Sequence, residues 1–375
     1  QQLELLRVDG LSKVFGYVFL VAIFLGVIYS LPVRAVEEHT SGLVYAGAAI
    51  GAVFAGDLVS LFVYWELTAI SSVFLILARR TPEALAASIR YLIIQVGSGV
   101  LLLAGLIVIW HETGSIAFDH IGIESAGGVL ILLAFGIKAA FPLLHNWLQD
   151  AYPQSTPTGT VLLSAFTTKL AIYALARGYA GTEELIWIGA IMTVFPIFFA
   201  VIENDLRRVL VYSLNNQLGF MVVGIGIGTE LALNGAAAHA VTHILYKALL
   251  FMSIGAVLHR TGTALASELG GLFKSMPVTA VFCAIGSASI AAVPLFSGFV
   301  SKSMILSAAA HEGLYGVWLM MLFASAGVLV YSGLKVPYFA FFAEDSGKRP
   351  QEAPMNMLIA MALAAALCIG IGVWP

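Results

Sequence analysis

The stretch KAAFPLL, residues 138–144, decides the fold, because a lysine and a proline stand inside an apolar run long enough to cross a membrane. That run covers residues 127–148 and meets the requirement of roughly 20 residues for about 30 Å of hydrocarbon. Proline cannot donate the helical hydrogen bond, so Pro142 predicts a break at membrane depth. A similar stretch, AAVPLF at residues 291–296, places Pro294 in a second long run. The sequence therefore predicts two membrane helices that are broken near their middle.

The overall composition excludes a soluble fold. Hydrophobic residues make up 60% of the 375 residues, charged residues make up 10%, and the mean hydropathy is +0.96. Soluble domains carry about 25% charged residues. Apolar runs recur along the chain and predict an all-α membrane protein of twelve spanning helices. These cover residues 11–31, 42–56, 58–78, 84–110, 127–148, 157–177, 184–202, 206–228, 232–258, 276–310, 314–342 and 354–374.

Charge and cysteine content argue against several classes of function. The formal net charge of -3 is scattered, and no basic run offers a binding surface for nucleic acid. Cys283 and Cys368 both lie in apolar runs, which argues against a disulfide and leaves too few thiolates for an iron–sulfur cluster. We expect no cofactor, so any redox chemistry would belong to a partner chain.

Basic residues in the loops predict which ends of the helices face the cytoplasm. When the loops are assigned alternately to two sides, nine basic residues fall on one side and three fall on the other. The larger group is expected to be cytoplasmic. It contains Arg34, Arg79, Arg80, Arg207, Arg208, Arg260, Lys274, Lys348 and Arg349, and the smaller group contains Arg7, Lys13 and Arg177.

Two pairs of segments indicate an internal repeat. Asp57-Leu58 recurs as Asp205-Leu206, and residues 139–144 recur as 291–296, with similar shifts of 148 and 152 residues. A repeat of five helices must run inverted in the membrane, which is typical of transporters with broken helices. We expect an N-terminal helix and loop at 1–40, a first repeat at 41–180, an inverted second repeat at 181–343 and a C-terminal helix at 344–375.

Charged side chains within the spanning runs are the candidate functional residues, because each costs at least ~2.5–3.5 kcal/mol to insert. A buried lysine gives up its proton more readily than one in water, and a nearby carboxylate opposes that loss. A Glu–Lys pair that can separate is therefore a proton switch, whereas a static ion pair would be structural. The candidates are Glu66, Lys138, Lys169, His239, His243, Lys247 and Lys302.

Other polar residues in the spanning runs are weaker candidates for a functional role. Lys335 and Arg90 stand near helix ends, where long side chains can reach the aqueous interface. His239 and His243 could bind a metal, but zinc requires further ligands and no His-Glu-x-x-His pattern is present, so we expect no metal site. The glycine run at 224–228 favours close helix packing over nucleotide binding.

These residues resemble the antiporter-like subunits of multisubunit Mrp-type sodium/proton antiporters, respiratory complex I and membrane-bound hydrogenases. The resemblance covers nearly the whole chain. Its most specific stretches are WEL at 65–67, KAAFPLLHNWL at 138–148, DLRRVLVYS at 205–213, KALLF at 247–251 and SGF at 297–299. Members of that family have fourteen helices, so the resemblance implies that two helices precede residue 1.

The resemblance also implies roles for the candidate residues. Glu66 matches the carboxylate that modulates the lysine of the first broken helix, here Lys138. Later positions match a central relay and an exit group, namely Lys169, His239, His243 and Lys247 in the relay and Lys302 at the exit. The run LNNQ at 214–217 departs from the small hydroxyl residues usual in the family, so the hydration of that stretch is expected to differ.

The expected function is proton translocation by a transporter subunit, not an enzyme, in the cell inner (plasma) membrane. Its expected partners are other membrane subunits, the lipid bilayer and protons, with Na⁺ left open. Tyr152-Pro153, residues 168–175 and Lys302 resemble the D-type subunit of Mrp antiporters most closely. The alternatives are a proton-pumping subunit of NADH-quinone oxidoreductase or of a hydrogenase, a subunit that energises bicarbonate uptake, and a self-sufficient solute carrier.

Overall fold

The computed structural model describes residues 3–374, which are helical apart from connecting loops. Gln1, Gln2 and Pro375, which belong to the predicted terminal segments 1–40 and 344–375, lie outside the described residues. The helices are α1 Gly10–Ser30, α2 Val36–Val53, α3 Leu58–Leu77, α4 Pro82–Thr113, α5 Ala126–Lys138, α6 Asn146–Ala151, α7 Pro157–Ala165, α8 Thr167–Gly178, α9 Glu184–Ile202, α10 Leu206–Ile227, α11 Glu230–Thr261, α12 Pro277–Ile290, α13 Ser297–His311, α14 Tyr315–Phe342 and α15 Met355–Val373.

These helices confirm the predicted all-α membrane fold. Within residues 3–374, nine spans are long and apolar enough to cross a bilayer, one of them formed by α7 and α8 together. The helix α2 and the two broken helices, α5–α6 and α12–α13, complete the predicted twelve. Large apolar side chains remain exposed on most outward faces, as lipid contact requires.

Both predicted helix breaks are present and have the same backbone conformation. The helix α5 ends at Lys138 and α6 begins at Asn146, while α12 ends at Ile290 and α13 begins at Ser297. Two non-glycine residues in each break have positive φ: Ala140 at 60° and Leu143 at 70° in the first, and Ala292 at 57° and Leu295 at 73° in the second. Such φ values are rare for residues with a Cβ. Their recurrence at a shift of 152 residues confirms that the two broken helices are repeats.

A second pair of contacts repeats at the shift of 148 residues. Asp57 forms an isolated antiparallel bridge with Ala117, and Asp205 forms one with Leu265. Each aspartate also caps the helix that follows, because its carboxylate accepts backbone N–H bonds in the first turn. The Asp-Leu pairs therefore mark equivalent helix starts.

The predicted helix at residues 157–177 is present as one membrane span, Pro157–Gly178, which is interrupted at Phe166. Phe166 has φ −103° and ψ −64° and separates α7 from α8. The backbone N–H of Thr167 donates to the Tyr45 hydroxyl at 2.9 Å instead of continuing the helical ladder. Since Tyr45 belongs to α2, a tertiary contact supplies the partner that the helix leaves unmatched at this point.

Four of the basic residues meet in two pairs at opposite ends of the bundle. Arg79 and Arg207 both donate to the backbone carbonyl of Pro153, at 2.6 and 2.8 Å. Arg7 and Arg177 both contact Asp9, at 3.6 and 2.6 Å. The membrane span formed by α7 and α8, Pro157–Gly178, separates Pro153 from Arg177. These contacts place Arg79 and Arg207 at one end and Arg7 and Arg177 at the other, as the loop assignment expects.

We predict that a cysteine replacing Arg80 is labelled only from the cytoplasm and that one replacing Glu183 is labelled only from outside. Both side chains are exposed, whereas Cys283 and Cys368 are buried and should give little background. Labelling with an impermeant maleimide in intact cells and inverted vesicles measures the sides. Labelling of position 80 only from outside would overturn the assigned orientation.

Candidate functional site

The seven candidate residues lie on helices that run through the middle of the bundle. Six of them are cationic or imidazole side chains with at most 1% of their surface exposed: Lys138, Lys169, His239, His243, Lys247 and Lys302. Glu66 is half-buried, and its Oε1 atom is fully buried. A buried ionisable side chain must either find local polar partners for its charge or adopt its neutral form.

Lys138 is held by neutral groups of α3. It is the last residue of α5, and its Nζ donates to the Trp65 carbonyl at 2.7 Å and to the Thr68 hydroxyl at 2.8 Å. The ammonium also lies 4.3 Å from the centre of a Trp65 ring. The C-terminal end of a helix favours a cation through its exposed carbonyls. The carbonyl, hydroxyl and indole of α3, together with the end of α5, therefore form a site that can hold an ammonium without a counter-charge in contact.

Glu66 lies beside this site but does not touch the lysine. Among residues 3–374 it has no ion pair within 4.0 Å, and its Oε1 has no hydrogen-bond partner. The carboxylate packs against Gly99 of α4, where a Cβ atom would lie 1.4 Å from Oε1. The absence of a side chain at Gly99 creates the space that the carboxylate occupies. The structure thus shows Glu66 and Lys138 in a separated arrangement.

We predict that Gly99→Ala lowers transport by about tenfold, whereas Gly97→Ala has little effect. The new methyl group would force Glu66 out of its pocket and change its electrostatic coupling to Lys138. A change of about 1.4 kcal/mol in that coupling corresponds to a tenfold change in the protonation equilibrium of the lysine. A Cβ at Gly97 meets no atom within 4 Å, and both changes gain the same helix propensity. Transport normalised to assembled protein measures the effect. Equal activities of the two variants would mean that the position of Glu66 is unimportant.

Lys169 occupies the interruption between α7 and α8. Its Nζ donates to the Ser164 carbonyl at 2.5 Å and to the Thr168 hydroxyl at 3.2 Å. In an unbroken helix that carbonyl would accept from the backbone N–H four residues on. The interruption at Phe166 therefore supplies a free carbonyl to the lysine, whereas the carbonyl that Lys138 binds belongs to the neighbouring helix α3.

The predicted stripe of His239, His243 and Lys247 lies on one face of α11, as their spacing requires. His239 Nδ1 lies 2.8 Å from the Ser301 hydroxyl, and its Nε2 lies 3.2 Å from Gln217 Oε1. His243 follows at 6.2 Å between ring centroids, and neither of its ring nitrogens has a partner in the described part of the chain. Lys247 Nζ donates to the Ser213 hydroxyl.

Lys302 stands at the second broken helix. Its Nζ donates at 2.7 Å to the carbonyl of Ile290, which is the last residue of α12. The same side chain borders a cavity of about 360 Å³ that also contacts Ser303 and Ser325. Lys302 thus binds the free carbonyl end of α12, whereas Lys138 is itself the last residue of α5 and binds groups of α3.

The six buried basic groups bind neutral oxygens or stand free, and within residues 3–374 no hydrogen bond joins one of them directly to the next. A proton held by one group could pass to another only through hydroxyls, water or side-chain motion. Such an arrangement is better suited to holding protons at separate sites than to conducting them along one continuous chain of hydrogen bonds. No group of three or more His, Cys, Asp or Glu side chains in the described part of the chain converges to hold a metal ion.

Sequence reasoning missed several buried polar residues in the same part of the bundle as these basic side chains. Tyr91 and Gln95 of α4 stand 148 residues before His239 and His243, so the repeat shift itself could have found them. The Tyr91 hydroxyl bonds to the Ser72 hydroxyl at 2.7 Å. The Gln95 amide is fully buried, and neither its oxygen nor its nitrogen has a partner in the part of the chain that the structure describes. The first repeat thus carries its own polar stripe on the equivalent face.

Lys335 and Arg90 have structural contacts. Lys335 donates to three carbonyls at the end of α9, those of Ala200, Val201 and Glu203, at 3.2, 2.8 and 2.6 Å. It therefore satisfies groups that a helix C-terminus leaves open. Arg90 forms two hydrogen bonds with Asp150 of α6, at 2.7 and 2.8 Å, on the surface.

Residues 55–330 match the family described as NADH:quinone oxidoreductase/Mrp antiporter, transmembrane. The A-type subunit of the Na(+)/H(+) antiporter of Alkalihalophilus pseudofirmus is 30% identical over 98% of this chain and 52% of its own length. Hydrogenase-4 component B of Escherichia coli is 28% identical over 97% and 61%. The D-type subunit of the Na(+)/H(+) antiporter of Bacillus subtilis is 29% identical over 89% and 72%. This chain thus spans about half the length of the first of these relatives.

Solved structures have the same fold. A chain of the Mrp complex from Dietzia sp. DQ12-45-1b superposes with a TM-score of 0.89 at 24% identity, over 98% of this chain and 81% of the other. A chain of the membrane-bound sulfane sulfur reductase, an archaeal respiratory membrane complex, gives 0.91 at 26% identity, over 99% and 66%. With the family match across most of its length, the chain belongs to the NADH:quinone oxidoreductase/Mrp antiporter membrane family.

Proposed function

We propose that this chain is a proton-translocating, antiporter-like subunit of a larger membrane complex in the plasma membrane. The observation that carries the proposal is the placement of buried lysines at the interruptions of three membrane helices, where each lysine donates to a backbone carbonyl. Charges at this depth are costly and mark ion pathways. Irregular backbone at membrane depth is tolerated where it lines a cavity or is buried in protein.

In the proposed path, Glu66 tunes the proton held by Lys138, and later stations carry the proton onward. Lys169 and the α11 stripe of His239, His243 and Lys247 form the centre, and Lys302 delivers the proton at the exit. We assign one half of the proton path to residues 41–180 and the other half to residues 181–343. The terminal segments 1–40 and 344–375 flank these repeats.

The finer proposal is that the chain is the D-type subunit of an Mrp antiporter, which exchanges protons for a cation such as Na⁺. Support comes from Tyr152-Pro153, residues 168–175 and Lys302, and from the similarity to the D-type subunit of a Na(+)/H(+) antiporter. A redox-driven proton pump is the second candidate, because a hydrogenase component and a chain of a respiratory complex are comparably similar. The proton path would be the same in either case.

Purification of the intact complex through a tag on this chain tests the proposal. We expect other membrane subunits to co-purify and Na⁺ to drive proton movement when the complex is reconstituted. Redox subunits in the preparation would instead favour the second candidate. A chain that purifies alone and transports a solute without protons would contradict both.

A further inference from the structure

Three adjacent residues in the middle of α10 carry amide side chains. Asn215, Asn216 and Gln217 are completely buried. The helices α9 and α10 approach closely here, since a Cβ at Gly219 would lie 2.6 Å from the Thr193 backbone N. This approach lets α10 side chains reach backbone groups of α9.

Asn216 and Gln217 form a chain of hydrogen bonds whose direction is set by one backbone carbonyl. Asn216 Nδ2 donates to the Thr193 carbonyl, which can only accept. The Asn216 oxygen is then left to accept from Gln217 Nε2. Gln217 must therefore present its oxygen to the groups on its other side.

Those groups are two side chains of α11. Tyr246 Oη donates to Gln217 Oε1 at 3.2 Å, and His239 Nε2 lies 3.2 Å from the same oxygen. Tyr246 Oη also lies 3.5 Å from His239 Nε2, but its hydrogen goes to the nearer Gln217 Oε1. Because an amide oxygen cannot donate, His239 Nε2 then carries the hydrogen of its bond to Gln217. In the neutral ring Nδ1 is then an acceptor, and it faces the Ser301 hydroxyl at 2.8 Å.

We infer that Gln217 is a positioning residue that fixes His239 in the Nε2–H tautomer and leaves Nδ1 as its proton-accepting atom. An amide oxygen is a poor proton acceptor, so a proton cannot continue through Nε2 to Gln217. His239 gains and loses its proton on the side of Ser301, which directly precedes Lys302 in α13. His239 therefore serves the exit half of the path, while His243, with both nitrogens free of partners among residues 3–374, can exchange protons on either side.

The tautomer can be measured without transport. Solid-state NMR of the purified complex with ¹⁵N-labelled histidine distinguishes a protonated from an unprotonated ring nitrogen, and His239→Gln identifies the His239 signals by their loss. We expect neutral His239 with the hydrogen on Nε2 alone. Neutral His239 with the hydrogen on Nδ1 would overturn the inference.

A variant tests whether Gln217 sets the tautomer of His239. Gln217→Met keeps the length of the side chain but removes the amide, so both tautomers of His239 should become populated. Asn215→Leu is the matched control, because the Asn215 amide donates to the Ala140 carbonyl and takes no part in the chain to His239. It should leave the tautomer unchanged. An Nε2–H signal that persists unmixed in Gln217→Met would show that Gln217 does not set the tautomer.

The consequence for transport rests on the proposed function. If the two tautomers become equally populated, the competent form falls by about twofold, and the transport rate should fall in proportion. The two proposals can fail separately. An Nε2–H tautomer in a complex that moves no protons would contradict only the function, and an Nδ1–H tautomer in a complex that moves protons would contradict only the inference.

Discussion

Replacement of Lys138 with alanine is expected to abolish proton-coupled transport while the complex still assembles. Its Nζ is the group that binds both the Trp65 carbonyl and the Thr68 hydroxyl at the first helix break. Alanine leaves no proton-binding group in that place. The Trp65 carbonyl keeps the Thr68 hydroxyl as a partner at 2.7 Å, so the loss of the amine leaves no severe unpaired group behind.

Cation-dependent proton movement in inverted vesicles, divided by the amount of assembled complex, measures this effect. Lys13→Ala is the matched control, since Lys13 is exposed on α1 and should be replaceable without loss. We expect activity at background for Lys138→Ala and near wild type for Lys13→Ala. Wild-type transport by an assembled Lys138→Ala complex would remove Lys138 from the mechanism.

The change Glu66→Gln is expected to move the pH profile of transport toward acidic values. The carboxylate favours the protonated form of the neighbouring lysine even without contact, because the charge interaction is weakly screened inside the bundle. Glutamine keeps the size and polarity but removes the charge, so the lysine should release its proton at lower pH. A shift of about one pH unit corresponds to ~1.4 kcal/mol of lost interaction.

Glu66→Asp should have a smaller effect, because it keeps the charge with a shorter reach. A purely structural Glu66 predicts something different. Its removal would then change the amount of assembled complex, and the pH profile of the surviving complex would not move. Transport against pH, normalised to assembly, separates these outcomes, and a full-rate, unshifted profile for Glu66→Gln would show that Glu66 does not control Lys138.

The two proline breaks could be predicted from the sequence, because proline acts locally on its own helix. The interruption at Phe166 could not. The stretch around it contains no proline or glycine at the break, and its free N–H is satisfied by Tyr45, more than a hundred residues away. A local pattern carries no information about such a partner.

The candidate residues themselves were accessible to sequence reasoning, since buried charges stand out in an apolar helix. The positions of these side chains relative to one another could not be predicted from the sequence. The sequence places Glu66 next to Trp65, but only the structure shows that the carboxylate packs toward Gly99 while the Trp65 carbonyl binds Lys138. Likewise, the departure at residues 214–217 indicated altered hydration, whereas its bonds to Thr193 and His239 depend on how α9, α10 and α11 pack.

The most direct test of proton translocation through this chain is the luminal pH of proteoliposomes that contain the intact purified complex under an imposed Na⁺ gradient. A pH-sensitive dye inside the vesicles reports proton movement, and ²²Na⁺ reports the cation. We expect Na⁺ entry to be accompanied by proton exit with the wild-type chain, and neither flux with Lys138→Ala. Na⁺ entry at an unchanged luminal pH would contradict proton translocation by this subunit.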